Sequence, residues 1–304
     1  MSRSGRYPFF VSLAPMHKGQ FDDELAGAST LPFATIGPDC TIPTTPLTLN
    51  PLGAGWEMAS PLTWNATITY IGHGRNDSVS FGGSSDVWSP VLIDFQGNVQ
   101  GGGIALEISA SVVQTATGVH ETIPWGASST IIGTYPISHD TVRARLASDA
   151  LSAIAYMETL PGQRFQQFLP DGTPVFGAPN GFGVMQLDPP DTARQIWDWQ
   201  QNVDAGKARF QTALNVVNSY FARTITAHPG LRQPTNDEIL CSAMTYYNGG
   251  GANGFHYVPN SAGNDWIRNP NPTGNTAFTA ALNYGDRGIA LMHQVQSGSP
   301  PSDW

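Results

Sequence analysis

Charge is the scarcest commodity in this 304-residue chain: Asp, Glu, Lys and Arg together make up 12%. That is about half the usual share of a globular domain. The 14 Lys and Arg never cluster, and 23 acidic residues outweigh them to give a net charge of −9. A nucleic-acid partner, which calls for a basic patch, is therefore not expected. Only two cysteines occur, Cys40 and Cys241. A disulfide-stapled scaffold is excluded, and no Cys/His spacing resembles a zinc site, so no metal or cofactor is expected. Cys241 reads as an inert thiol in a buried helix, with a Cys40–Cys241 bridge left open. No apolar run approaches the roughly 18 residues of a membrane span, so a membrane partner is not expected either. The first fifteen residues carry Arg3 and Arg6 but no apolar stretch of signal-peptide length. The expectation is a protein made in the cytoplasm without a cleaved leader.

Turn formers and apolar residues are plentiful: 33 Gly, 24 Pro and 40% hydrophobic residues, enough for packed cores in two domains of ordinary size. Residues 1–45 read as irregular. From Thr48 to Tyr135 short alternating runs recur, at Ala66–Ile71, Ser78–Phe81, Val91–Phe95 and Ile104–Val113. Gly82-Gly83, Gly97-Asn98 and Gly101-Gly102-Gly103 read as the turns between them. Short strands with regular turns predict a β-sandwich.

The pattern changes near Ser138. Val142, Leu146, Ala150, Leu151, Ile154 and Ala155 recur at helical spacing, predicting one helix from an N-cap at Ser138 to about Thr159, before Pro161-Gly162. Further helices are expected near 191–201, 204–225, 236–246 and 276–296. Thr235-Asn236-Asp237-Glu238 reads as a capping box, and residues 297–304 as a frayed tail. The fold class is thus α+β: an N-terminal all-β sandwich-like domain over 1–137, then a mainly α domain over 138–304.

Glu158 is the residue that carries chemistry. It ends the long helix beside apolar residues. Burial and the negative end of the helix dipole both disfavour its charged form and raise its pKa. A carboxyl still protonated near neutrality can protonate a glycosidic oxygen. An arbitrary helix-end Glu is most often an ordinary solvated acid, so other features must carry the assignment. Asn180-Gly181-Phe182-Gly183-Val184-Met185-Gln186-Leu187-Asp188 reads as a strand-like segment whose glycines let backbone approach a ligand. Tyr246-Tyr247-Asn248-Gly249-Gly250 ends a later helix and can set a phenol and an amide beside the carboxyl.

The order helix-end Glu, Gly-x-Met-Gln, Tyr-Asn-x-Gly resembles the lysozyme-like superfamily of goose-type lysozymes and soluble lytic transglycosylases, over about residues 138–296. The nine residues from Asn180 to Asp188 are especially similar to the goose-type segment. Asn283-Tyr284-Gly285-Asp286-Arg287 adds a local similarity to a Tyr-containing closing helix. The resemblance implies a lysozyme-like fold for the α domain and cleavage of the MurNAc-GlcNAc β-1,4 bond of peptidoglycan. It implies Glu158 as catalytic acid, with Thr159 where relatives carry Ser. Met185 and Gln186 would line the groove, and Tyr247 and Asn248 would position the acid and the sugar N-acetyl group. Asp188 would orient a water. A second Asp of goose-type enzymes is replaced by Gly177, with Asp171 nearby but out of register. Hydrolysis, slightly preferred, and lytic transglycosylation therefore both stay open, as does a non-catalytic peptidoglycan-binding role.

Without a leader, the expected site of action is the periplasm or wall of a target cell. It would be reached as a secreted antibacterial toxin or in phage-type lysis. An immunity protein and a secretion-machine partner are the implied companions. The β domain is expected to bind glycan, dock to that machine or brace the enzyme. Gly249–Gly254 contains G-x-G-x-x-G but follows a helix, which argues against a dinucleotide site. Of Trp197 and Trp199, one is expected in the core and the other at the groove. Arg287 is expected to pair with Asp286.

Overall fold

The computed structural model describes residues 9–10, 32–49, 52, 54–252 and 254–304. The expected irregularity of residues 1–45 therefore lies largely outside the described residues. The chain is α+β and packs as two compact units. The first comprises 1–135, 168–174 and 192–198; the second comprises 136–167, 175–191 and 199–304.

The first unit begins with β1 (Phe9–Phe10), β2 (Ala34–Ile36), β3 (Thr45–Thr48) and β4 (Trp56–Met58). β1, β2 and the start of β3 fall in the stretch read as irregular; β2 and β3 are too short for their pattern to stand out, and pairing with β9 and β7 makes them strands, with Ile36 and Leu47 each 1% exposed. β5 (Leu62–Gly72), β6 (Arg75–Ser85), β7 (Val91–Ile93), β8 (Gly102–Gln114) and β9 (His120–Gly133) follow. The larger sheet runs β2-β9-β8-β5-β6, with β4 also on β8. All its pairs are antiparallel except β2 with β9. In β8 the alternation read from sequence is realised, with Ile104, Leu106, Ile108, Ala110 and Val112 buried. The second sheet is β1-β3-β7. Phe95, just past β7, contacts Phe33 and Phe81, and Phe81 contacts Trp64 of β5. One core thus joins the small sheet to the apolar face of the large one.

Two glycine assignments change. Gly82-Gly83 lies inside β6, not in a turn. A Cβ at Gly83 would stand 2.7 Å from Trp64 Cζ2, so glycine lets the indole lie across the strand. Likewise Gly102-Gly103 belongs to β8. The actual β5–β6 turn is His73-Gly74, with φ of 51° and 76°, a two-residue hairpin loop of the twist-matched kind.

The first unit is not exclusively β. It includes the short helix α3 (Arg194–Trp197), whose Trp197 packs edge-on against Tyr70 at 5.3 Å and against Phe168 at 5.9 Å.

In the second unit the expected long helix is two: α1 (His139–Leu146) and α2 (Asp149–Glu158). Apolar spacing runs through the junction, but the local backbone chemistry does not. Ala147 adopts a left-handed conformation (φ 56°), and the Ser148 side chain caps α2 by accepting from Leu151 N. The 29-residue α4 (Trp199–Ala227), α5 (Asn236–Tyr247) and α6 (Thr276–Gln296) complete the helices. Short hairpins β10 (Phe176–Gly177) with β11 (Gly181–Phe182), and β12 (Tyr257–Pro259) with β13 (Trp266–Arg268), connect them. The capping box at α5 is formed as read: Glu238 N donates to Thr235 Oγ1 (3.2 Å) and Thr235 N to Glu238 Oε2 (2.7 Å). Trp199 is as buried as Trp197, with the Arg145 guanidinium over its ring, so neither is free to edge a groove.

The tail is anchored, not frayed. Asp303 accepts from Tyr156 OH (2.6 Å) and Arg164 Nε (3.2 Å), and Trp304 packs against Tyr156 and Phe165. Cys40 and Cys241 are both buried, and no disulfide joins them.

Candidate active site

Glu158 is the last residue of α2, a helix whose residues Ala150 to Ala155 are all buried. Thr159 turns the chain extended and ends the helix. Its hydroxyl donates to Ala155 O (2.9 Å) and accepts from Phe165 N (3.3 Å). Thr159 is 1% exposed, and its hydroxyl is engaged in closing the helix end; it does not line the cleft.

The Glu158 carboxyl accepts a 2.7 Å hydrogen bond at Oε1 from Tyr284 OH of α6 and is hydrogen-bonded by the Asn248 side chain. Burial dominates: it pushes the Glu158 pKa from 4.5 up to about 7, although both hydrogen bonds favour the charged form. The residue stays partly accessible along a cleft of about 600 Å³. Gln186, Asp188, Arg209, Tyr247 and Asn248 also line this cleft. Its volume lies in the range of small-molecule clefts.

The segment carrying Gln186 is a strand for only two residues, Gly181–Phe182, and then a tight turn through Gln186. Buried amides hold it. Asn202 Oδ1 accepts from Met185 N (2.8 Å), Asn202 Nδ2 donates to Phe182 O (2.9 Å), and Gln167 Oε1 accepts from Val184 N (3.2 Å). Gly183, at φ 73°, leaves room for both amides; a Cβ there would stand 2.6 Å from Asn202 Nδ2. Sequence reasoning missed Gln167 and Asn202. Their signal is tertiary: an amide in a helix or loop becomes obligatory only when turn N–H groups are buried against it.

Met185 is fully buried against Gly206 of α4 and does not face the cleft as expected. It acts through its carbonyl, which accepts from Tyr247 OH at 2.9 Å. The expected Tyr-Asn pair thus divides its work: Asn248 reaches Glu158, while Tyr247 ties α5 to the Met185 turn. Gln186 Nε2 donates to Gly183 O (2.8 Å), and its Oε1 lies against Gly177 and Gly181. That contact explains Gly177: a side chain there would collide with the Gln186 amide. Asp188 is exposed on the same cleft. The backbone beside it is held by Arg209, which donates to Asp188 O (3.3 Å) and Pro189 O (2.5 Å).

Tyr284, which the sequence marks only as part of a similar local segment, donates directly to the Glu158 carboxyl. Burial first, then the Glu158 charge, raises its own pKa, so it remains a donor. Among the described residues, those that could share a metal are Cys241, His256 and Asp286, none of which lines the cleft. No helix among the described residues is long and apolar enough to cross a membrane. No protein-family model, curated protein or solved structure matches this chain.

Proposed function

We propose that this cleft cleaves the MurNAc-GlcNAc β-1,4 bond of peptidoglycan, with Glu158 as general acid. The observation that carries the reading is a carboxyl with its pKa pushed up to about 7, facing an open cleft that Gln186, Asp188, Arg209 and Asn248 also line. Protonated Glu158 gives its proton to the bridging oxygen as the glycosidic bond breaks. Tyr284 and Asn248 fix the carboxyl's orientation and stabilise the carboxylate left behind. Gln186 offers an amide to the sugar. In the preferred hydrolytic course, Asp188 takes a proton from a water attacking the sugar from within the same cleft. In the transglycosylase course, the muramic C6 hydroxyl attacks instead, and ionised Glu158 takes its proton. Gly177 favours this second course, because Gln186 fills the space of a further carboxylate.

On this reading the second unit is a lysozyme-like catalytic domain and the first a sandwich-like accessory domain. The protein acts on the wall of a target cell, as an antibacterial effector or a phage-type lysin. An immunity protein that fills the cleft is its natural antagonist.

The test is turbidity loss of purified peptidoglycan. Wild type clears the walls and Glu158→Gln does not. Equal clearing by both, or by neither, overturns the catalytic assignment; saturable wall binding without clearing selects a non-catalytic binder. Mass spectrometry of released muropeptides separates reducing ends (hydrolysis) from 1,6-anhydro ends (transglycosylation).

A further inference from the structure

Away from the cleft, Cys241 of α5, His256 just before β12 and Asp286 of α6 converge on one point. Their ligand atoms all lie within 4.8 Å of one another. Cys241 Sγ stands 3.4 Å from His256 Nε2, His256 Nε2 stands 3.1 Å from Asp286 Oδ1, and Sγ stands 4.0 Å from Oδ1. A tetrahedral zinc ion with bonds of about 2.0–2.3 Å holds such atoms roughly 3.3–3.6 Å apart. The Cys241–His256 separation falls within that range and the His256–Asp286 separation just below it; Sγ, which also stands 3.5 Å from His256 Nδ1 and so lies beside the ring, must swing toward the Nε2 side to complete the triangle.

The surroundings are those of a metal centre's outer shell. Thr245 Oγ1 sits 2.7 Å from His256 Nδ1, which fixes the ring and leaves Nε2 for the metal. Arg268 Nε donates to Asp286 Oδ2 (2.9 Å), leaving Oδ1 directed at the cluster. The Tyr257 phenol hydrogen-bonds the Cys241 sulfur. Gly285 lets α6 come this close; a Cβ there would stand 2.7 Å from Cys241 O and closer still to Thr245 Oγ1.

A catalytic Cys-His-Asp triad is the other chemistry such residues serve. Here Cys241 is 2% exposed and His256 fully buried, so no substrate reaches the sulfur. Asp286, with a 43% exposed side chain, is the one member open to solvent and provides an entry path for an ion.

We propose that Cys241 Sγ, His256 Nε2 and Asp286 Oδ1 bind one divalent zinc ion, with a water as fourth ligand. Cys241 loses its proton to solvent as the metal binds. The ion's role is structural. It clamps α5, which carries Tyr247 and leads into Asn248, to α6, which carries Tyr284, and so preserves the geometry of Glu158's partners. The metal site itself does not rest on the reading of Glu158.

The experiment uses the full chain, stripped with chelator and dialysed against limiting Zn²⁺ or Co²⁺. Wild type retains one metal ion per chain by mass spectrometry, and its cobalt form shows a thiolate-to-cobalt charge-transfer band. Cys241→Ser loses that band, while Cys40→Ser keeps it. Asp286→Asn, at a solvent-accessible position and mild enough to fold, binds Zn²⁺ at least about tenfold more weakly. Thr245→Val, which frees the outer nitrogen of His256, weakens binding by about 10–100-fold. Wild type retaining no more metal than Asp286→Asn overturns the proposal, as does a cobalt spectrum without the thiolate band. In either case the cluster is a hydrogen-bonded network alone. None of these readouts involves peptidoglycan, so this proposal and the cleft reading fail separately.

Discussion

Substituting Glu158 by Gln should make the protein more stable at neutral and alkaline pH, and the gain should depend on pH in a defined way. Burial raises the Glu158 pKa from 4.5 to about 7. In the unfolded chain the group ionises near its ordinary value. Below pH 4.5 it is protonated in both states and contributes no penalty. Between 4.5 and 7 the unfolded state releases the proton while the native state holds it, so unfolding becomes progressively favoured. Above 7 both states are ionised and the loss is complete. A rise of this size corresponds to about 3 kcal/mol at most. The partial accessibility of Glu158 works to reduce it. The Gln amide does not titrate. Stability of Glu158→Gln minus that of wild type should therefore climb by up to about 3 kcal/mol from pH 4 to pH 8, with nearly all the change between 4.5 and 7. Other titrating groups cancel in the difference. Paired urea unfolding at pH 4, 5.5, 7 and 8, compared at equal m-values, measures it. A difference constant with pH to within about 0.5 kcal/mol would refute the argument that burial holds this carboxyl protonated. The same substitution should abolish wall clearing, so a gain in stability accompanies a loss of function.

Tyr284→Phe removes a hydrogen bond to the ionised carboxylate. Glu158 should then titrate about one unit higher, the worth of one hydrogen bond to a charged group. The alkaline limb of the pH–activity profile should move up with it, and an unmoved limb would mean that Glu158 does not set that limb. Gly177→Ala drives a Cβ into the Gln186 amide, the flexible end of a side chain. Wall-clearing rate should fall by on the order of tenfold with little change in melting temperature; an unchanged rate would remove Gln186 from the site. Ala147→Gly relieves a left-handed alanine between α1 and α2 and should stabilise by about 1 kcal/mol in urea unfolding. A loss of stability there would mean that the junction tolerates alanine without strain.

Much of the local architecture is legible in sequence because it depends on neighbours a few residues apart. Ile104, Leu106, Ile108 and Ala110 alternate because one face of β8 is buried, and Thr235 and Glu238 cap α5 because each reaches the other's backbone N–H. Glycine is a poorer guide. The Gly82-Gly83 pair looks like a turn until the Trp64 indole is known to lie across it, and His73-Gly74 carries a turn that the richer glycine runs obscure. At Ala147-Ser148 the apolar period continues while the backbone does not, since a serine able to cap a new helix outweighs the period. The tail appears frayed until Asp303 meets Tyr156 and Arg164.

For the site, the sequence by itself determined Glu158 at a helix end and the order of the Gln186 and Tyr247-Asn248 segments after it. Only the tertiary structure decided which of these touch. Tyr284 reaches Glu158 across 126 positions. Thr159 and Met185 turn inward, and Asn202 and Gln167 hold the turn that carries Gln186. Cys241, His256 and Asp286 span 45 positions without a recognisable spacing, because α5 and α6 bring them together by packing. Periodicity and capping act within one element. Hydrogen bonding and burial between elements depend on how helices pack, which no local pattern encodes.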